Sequence, residues 1–437
     1  MLLIASNFVG VQTIKFYDNS ADINRYKGLA LDALRATGAK LRKNFVDVFI
    51  EVMFLFVSVR KVNFTQMGKY GRHCEQTYRN NFMKDIDWVA YNTHLVQEVF
   101  SDPSDLLAIA VDQSHITKSG KCTWGVGRFW SGCDQSVMPG LEITGIGAVN
   151  ATRRECMALR AVQTPGKRWL AENLGKDGKK VDLHDWYIKA VKDHAEQLKA
   201  ISNILVADAL YSTEKIVAAM ALLGFAMVSR LRKDTVLRYI YTGPRTGKRG
   251  APKKFGGRID LENPDLDGME RVDGLCGEDE GEYYTLVANV KCFKRNVRLV
   301  IWYPKGIAGV SEKGGGYKLF FSTDTQMDAE KCVMVYKSRF QLEFVFRDGN
   351  QFTGLEDCQA RSKEKLDFAF NASLAAINTA KAAIMQMGED LSVGEYTALM
   401  HSTLIYQRIM CVSGIKPDPA INRRVMNELF MLAKNAA

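Results

Sequence analysis

The segment Tyr336-Lys-Ser-Arg-Phe-Gln-Leu-Glu343 carries an aromatic hydroxyl, a guanidinium and a carboxylate in close succession. At about 100° per residue, Tyr336, Arg339, Glu343, Arg347 and Asn350 fall on one narrow stripe of a helix, with Val333, Phe344 and Val345 off it. That helix is predicted to open at Thr325, whose hydroxyl can cap backbone donors, with Asp328 in the capping-box place. Two more carboxylates end apolar runs of strand length: Leu106 to Val111 leads into Asp112, and Ile204 to Ala207 leads into Asp208. If these strands lie side by side, Asp112 and Asp208 emerge at one sheet edge and Glu343 on a covering helix completes the set. Asp112, Asp208 and Glu343 are hard oxygen ligands that would repel one another without a cation among them. Mg²⁺ suits carboxylates together with substrate phosphates, and Mn²⁺ can substitute. Two such ions about 3.5–4 Å apart activate an attacking oxygen and stabilise a leaving one in phosphodiester displacement, which points to cutting or joining nucleic acid.

The elements that must position these groups can be read in order. Residues 1–100 read as helical, and Asn63 to Phe82 has the form of a helix-turn-helix. A first helix lies near Thr65 to Tyr70, Gly71 makes the turn, and a polar second helix presents Gln76 and Arg79 to base edges and phosphates. A helical pair that only caps the core is the alternative. From Leu106 the pattern becomes three antiparallel strands, Leu106 to Val111, Cys122 to Trp130 and Leu141 to Val149, with Asp112 at the end of the first. Helical signal follows at Arg153 to Val162 and Asp185 to Ala200. Then come the strand before Asp208, a helix from Thr213 to Leu223, and a strand from Phe225 to Ser229. Three strands, helix, strand, helix, strand is the order of the RNase H fold, in which the first and fourth strands are neighbours. The expected class is therefore α/β, an RNase H-like mixed sheet with flanking helices.

Between Ser229 and Thr325 that order is interrupted by strand-like runs at Val236 to Tyr241, Tyr283 to Val290, Val297 to Tyr303 and Tyr317 to Phe321, a β-rich insertion before the last helix of the core. From Leu366 the chain is helical again. The implied segments are 1–100 for the helical N-terminal region, 101–229 for the first part of the core, 230–324 for the insertion, 325–365 for the final core helix, and 366–437 for the helical C-terminal region.

Composition narrows the class. The chain has 437 residues, 47% hydrophobic and 25% charged, which suits a large folded core and fits neither disorder nor membrane spans. The apolar N-terminus lacks a basic leader and a cleavage site, which argues against secretion. Nine cysteines without a Cys-x-x-Cys pair fit a reduced compartment and no zinc knuckle. The net charge is +10, and its distribution is uneven. Arg230 to Arg258 holds ten basic residues and one acidic; Asp260 to Glu282 holds ten acidic and one basic. The basic block includes a Gly- and Pro-containing loop with Arg245, Lys248, Arg249, Lys253 and Lys254. Such a loop gives affinity for DNA phosphates through counterion release, unless it is merely a solvated face. The acidic block either holds that loop or serves solubility.

With these residues in view, the sequence resembles the DDE transposases of bacterial insertion sequences, in particular the group with a β insertion before the final glutamate. That group is marked by a tyrosine, two residues, an arginine, three residues, a glutamate, six residues and a lysine. Tyr336, Arg339 and Glu343 fit; the lysine position is Asn350. The strand-end Asp208, Tyr211 and the run Arg230-Leu231-Arg232-Lys233 also follow the pattern, and the resemblance extends over roughly residues 45 to 380. It implies that Asp112, Asp208 and Glu343 form a catalytic triad holding two Mg²⁺ ions. Tyr336 and Arg339 would hold transposon-end phosphates, and Arg347 would supply the charge missing at Asn350. Trp302, on an insertion strand, would either stack on a flipped base or pack in the core. The expected partner is double-stranded DNA, both terminal inverted repeats and target. A homodimer on two ends would be joined through the C-terminal helices, in the cytoplasm of a bacterium at its nucleoid. The rival readings are an RNase H-like nuclease or recombinase without strand transfer, and a catalytically silent domesticated DNA-binding protein.

Overall fold

A computed structural model describes the chain except for residues 1–20, 121, 133, 174–177, 179, 245–250, 274–280, 314, 416–417 and 435–437. The first described segment forms α1 (Ala21–Ala36), α2 (Lys43–Ser58), α3 (Phe64–Tyr70), α4 (Glu75–Asn81) and α5 (Trp88–Val99). Four strands follow: β1 (Leu107–Thr117), β2 (Gly127–Ser131), β3 (Ser136–Asn150) and β4 (Glu155–Thr164). Next are α6 (Lys167–Glu172), α7 (Leu183–Lys192), α8 (Ala195–Lys199), β5 (Ile204–Ala207), α9 (Glu214–Leu222) and β6 (Ala226–Arg230). Strands β7 (Leu237–Ile240), β8 (Phe255–Arg258), β9 (Glu270–Arg271), β10 (Glu282–Val290), β11 (Arg295–Tyr303) and β12 (Lys318–Ser322) lead into α10 (Ala329–Ser338) and α11 (Gln341–Phe352). The chain closes with α12 (Lys363–Met387), α13 (Val393–Ser413) and α14 (Pro419–Lys434).

Two compact units result. One comprises Met1–Ile86, Asp348–Ala360 and Glu364–Ala437, so the N- and C-terminal helices share a core. Its centre is α2, apolar nearly all round, where Phe49 meets Phe368 edge-on and Tyr26 donates to the Met53 carbonyl at 3.0 Å. No described helix is long and apolar enough to cross a membrane. The other unit, Asp87–Arg347 with Arg361–Lys363, is built on a sheet that carries all twelve described strands.

The order β4-β3-β1-β5-β6 within that sheet, with β1 antiparallel to β3 and parallel to β5, is RNase H-like. β2 is appended as a hairpin on the outer end of β3. The parallel register pairs Val111 with Ala207, so Asp112 and Asp208 follow side by side. Strand β6 pairs in parallel with β5 and ends at Arg230, on the same edge. Beyond β6 the insertion strands do not form a sheet of their own: β12 pairs antiparallel with β6, then β11, β10, β7 and β8 continue outward.

Four expectations need correction. Arg153 to Val162 is not helical; Glu155–Thr164 is β4, paired along β3 after a turn in which the Asn150 side chain accepts from the Thr152 and Arg153 amides. The second strand of the core is Gly127–Ser131 rather than Cys122 to Trp130. Asp112 lies within β1 and not at its end, because Gln113 to Thr117 continue the ladder with β3. The helix of Tyr336 and Glu343 is two helices. α10 is capped by Asp328, which accepts from the Glu330 and Lys331 amides, and Thr325 lies outside it. The chain then breaks at Arg339 and Phe340 before α11, so the stripe from Tyr336 to Asn350 is not continuous.

Glycines in β3 set how closely α11 lies on the sheet. A Cβ on Gly145 would stand 2.3 Å from Cζ of Phe346, and one on Gly147 would stand 3.0 Å from Cδ1 of Leu342. Both partners belong to α11 and flank Glu343 in sequence. Gly145→Ala is therefore expected to overpack this contact and cost about 1–3 kcal/mol, read as a lower urea midpoint, with Phe346→Leu restoring part of the loss.

Candidate active site

Asp112, paired with Gly145 in register, faces the side of the sheet that α11 covers, since paired residues share a face and Gly145 abuts Phe346. Its carboxylate accepts from the Gln113 amide at 3.0 Å and from the Arg339 guanidinium. The same guanidinium donates to Glu343 Oε1 at 3.0 Å, one turn along. Arg339 thus bridges Asp112 and Glu343 at a position largely shielded from solvent. The helix break helps: the Arg339 side chain leaves the chain between α10 and α11 and not from the middle of a helix.

Asp208 directly follows β5 and is held by the turn after it and by β6. Its Oδ1 accepts from the Leu210 amide at 2.8 Å, and its carbonyl accepts from the Ser229 hydroxyl at 2.8 Å. Burial pushes the Asp112 carboxyl up to about 7; Arg339 pulls against that shift, while Asp208 and Glu343 add to it. Asp208 and Glu343 therefore both lie within electrostatic reach of Asp112. Tyr336, from α10, packs its ring on Phe320 at 5.1 Å and lies near the Arg230 side chain. Burial raises its hydroxyl above the ordinary range, with Arg230 and Arg339 opposing.

Arg230, Gln113, Tyr211, Tyr187 and Glu142 were given no role at this site by their types and spacing. Arg230 lies near Tyr336, and its Nε is buried with no acceptor among the described residues. It ends β6 as Asp208 follows β5, and that parallel was the available signal. Gln113 donates its side-chain amide to the Tyr211 hydroxyl, and Tyr211 packs against Tyr187, which donates to Glu142 at 3.0 Å. Of this chain only Tyr211 carries a sequence signal, its place in the pattern that follows Asp208; nothing in the local sequence marks Gln113, Tyr187 or Glu142.

The remaining predicted residues are placed as follows. Arg347 is exposed, with its guanidinium over the Phe344 ring at 4.7 Å, and Asn350 is exposed near the end of α11. Gln76 is exposed on α4 and donates to Asn80 at 2.8 Å, while Arg79 donates to Glu75 at 2.8 Å and lies over Phe64. The turn between α3 and α4 is tied to α2: the buried Glu51 carboxylate accepts from the Arg72 amide at 2.7 Å and the Tyr78 hydroxyl at 2.9 Å. Lys253 and Lys254 are exposed; Arg245, Lys248 and Arg249 lie outside the described residues. Trp302 is 9% exposed, packed parallel to Tyr283 with the Lys318 ammonium 4.2 Å from its ring centre, so its ring is occupied by the insertion's own side chains.

Among the described residues, no three His, Cys, Asp or Glu side chains stand close enough to hold a metal ion in this arrangement. The donor chemistry nevertheless fits a divalent cation: three hard carboxylates, with a positive group already lodged between two of them.

Residues 187–379 match the family described as transposase DDE domain, and residues 70–268 match the DDE superfamily endonuclease family. No curated protein matches the chain.

The Asp112 shift has a consequence for stability. A carboxyl whose folded value lies above its ordinary 3.8 favours the fold at low pH, and that contribution is lost as pH rises towards and through 7. Relative to wild type, Asp112→Asn is expected to gain on the order of a few kcal/mol between pH 4 and pH 8, measured by denaturant unfolding across that range. Parallel curves for the two proteins would contradict the shift.

Proposed function

Because the chain belongs to the DDE transposases of insertion sequences, nucleases that act on DNA, we propose that it binds the inverted ends of an element, cuts them, and joins the freed 3′-hydroxyls to target DNA. The observation that carries this reading is the parallel pairing of β1 with β5, which sets Asp112 beside Asp208 under the helix of Glu343. Asp112, Asp208 and Glu343 would hold divalent cations, Mg²⁺ or Mn²⁺ and two per site, that supply Lewis-acid stabilisation and an activated water.

The chain's own residues do the positioning. Arg339 and Arg230 converge on Tyr336 and give the site two guanidinium groups suited to phosphate oxygens. Gly145 and Gly147 keep α11 on the sheet and so set the height of Glu343. In the first reaction water attacks the end phosphate, the bond to the 3′-oxygen breaks, and the element keeps a 3′-hydroxyl. In the second that hydroxyl attacks a target phosphate and displaces a target 3′-oxygen. Helices α3 and α4 would read the ends through Gln76 and Arg79, with Arg347 and the basic loop supplying phosphate contacts. Exposed Ile409, Val412, Ile421 and Leu432 on α13 and α14 support a homodimer on paired ends.

The test is incubation with Mg²⁺ and DNA carrying the sequences that flank the gene. Joined products support the transposase; cuts alone indicate a nuclease, and binding alone a silent DNA-binding protein. Asp112→Asn, Asp208→Asn and Glu343→Gln are each expected to lower cutting by about 10²–10⁴-fold with DNA affinity retained.

Arg339 adds a separate expectation, because a guanidinium on two carboxylates competes with a cation for the same oxygens. Arg339→Gln should bind Mn²⁺ more tightly in the absence of DNA, by roughly tenfold in calorimetric titration, yet cut more slowly. Unchanged Mn²⁺ affinity would remove the competition.

A further inference from the structure

The hairpin of β2 and β3 has no part in the reading above, yet its register ties it to the site. Asp112 pairs with Gly145, Ser114 with Ile143, Ile116 with Leu141. Side chains alternate along a strand, so the odd-numbered residues of β3 from Gly145 outward stay on the face of Asp112. That series continues through Pro139 to Val137, which pair with Arg128 and Trp130 of β2. The register is unbroken along both ladders, so Arg128, Trp130 and Val137 lie on the same face of the sheet as Asp112.

Among the described residues, the outer ends of β2 and β3 are largely exposed on this face. Trp130 is 60% exposed and Val137 46%, a cross-strand apolar pair that would ordinarily be covered. Arg128 beside them is exposed and donates one guanidinium hydrogen to the Val137 carbonyl at 3.0 Å. Core residues anchor the base of the hairpin: Phe129 on its other face is buried, as are Leu141 and Ile143. At about 3.3 Å per residue, the eight residues from Gly145 to Val137 carry the pair about 26 Å along the strand from the level of Asp112. For a duplex rising about 3.4 Å per base pair, that is about seven to eight base pairs.

We infer that this hairpin is a DNA-contacting arm, in which Trp130 and Val137 pack into the minor groove of the duplex about seven to eight base pairs from the scissile phosphate and Arg128 reaches a backbone phosphate. The inference rests on the proposed function, since it takes Asp112 to mark the cut. An apolar wedge flanked by arginine is a combination that minor grooves accommodate. A duplex is favoured over a second copy of the chain because the pair shares the catalytic face and carries a cation beside it.

The full chain can test this by photocrosslinking from a benzophenone amino acid at position 130, in Mg²⁺, on duplexes labelled on either side of the mapped cut. Crosslinks about seven to eight base pairs from the cut are expected, and the labelled side distinguishes element DNA from flanking DNA. Trp130→Ala should weaken duplex binding about 5- to 100-fold with the salt dependence unchanged, whereas Arg128→Ala should lower the salt slope by about one. Both positions are exposed, so unchanged near-ultraviolet circular dichroism is the folding control. Crosslinks to a second protein chain would overturn the inference in favour of a dimer contact. Wild-type binding by both variants, from a chain that still cuts, would overturn it while leaving the proposed function standing. If the wild-type chain neither binds nor cuts DNA, the proposed function itself fails and the arm with it.

Discussion

Like charges gathered on one sheet edge repel, and the organisation of the larger unit answers that constraint. Asp112 and Asp208 come side by side through the β1–β5 register, and Glu343 is held over them by α11. Arg339 lies between two of the three, in a place where a carboxylate would otherwise be desolvated against its own kind. The elements around it fix the geometry: the turn after β5 holds Asp208 by backbone bonds, and glycine at positions 145 and 147 admits α11 close to the sheet. The break between α10 and α11 frees the Arg339 side chain to reach back across the sheet edge. An uninterrupted helix would have committed it to the stripe shared with Tyr336 and Asn350.

Much of this was legible where local pattern and tertiary role agree. Ile204 to Ala207 is a short apolar run with a polar stop, and it forms β5 with those bounds. The helix expected from Thr213 to Leu223 is α9, Glu214–Leu222, with the Thr213 side chain accepting from the Ile216 amide at its start. The carboxylate positions stood out because two of them end apolar runs.

What was illegible follows from the same physics. Cys156 to Leu159 is apolar on both faces because β4 is covered on both there, and a run without alternation cannot be told from a buried helix by period alone. Gln113 to Thr117 are too polar to announce a strand, yet they pair with β3 to the end. The Arg339 bond to Asp112 joins residues 227 apart in sequence, so no local rule can find it. Arg230 was visible as the first residue of a basic run that fits the family pattern, but its place beside Tyr336 depends on a strand order that the sequence implies but does not display.

The continuity of the sheet through β6 and β12 bears on how such a protein can be altered. Because the inserted strands hydrogen-bond directly to the edge of the core, they cannot be excised as a cassette. Removing them would strip the covering from Ala226–Arg230 and leave a bare row of amides and carbonyls one strand away from Asp208. A shortened enzyme built that way would need a substitute edge, or it would recruit one from its neighbours and precipitate.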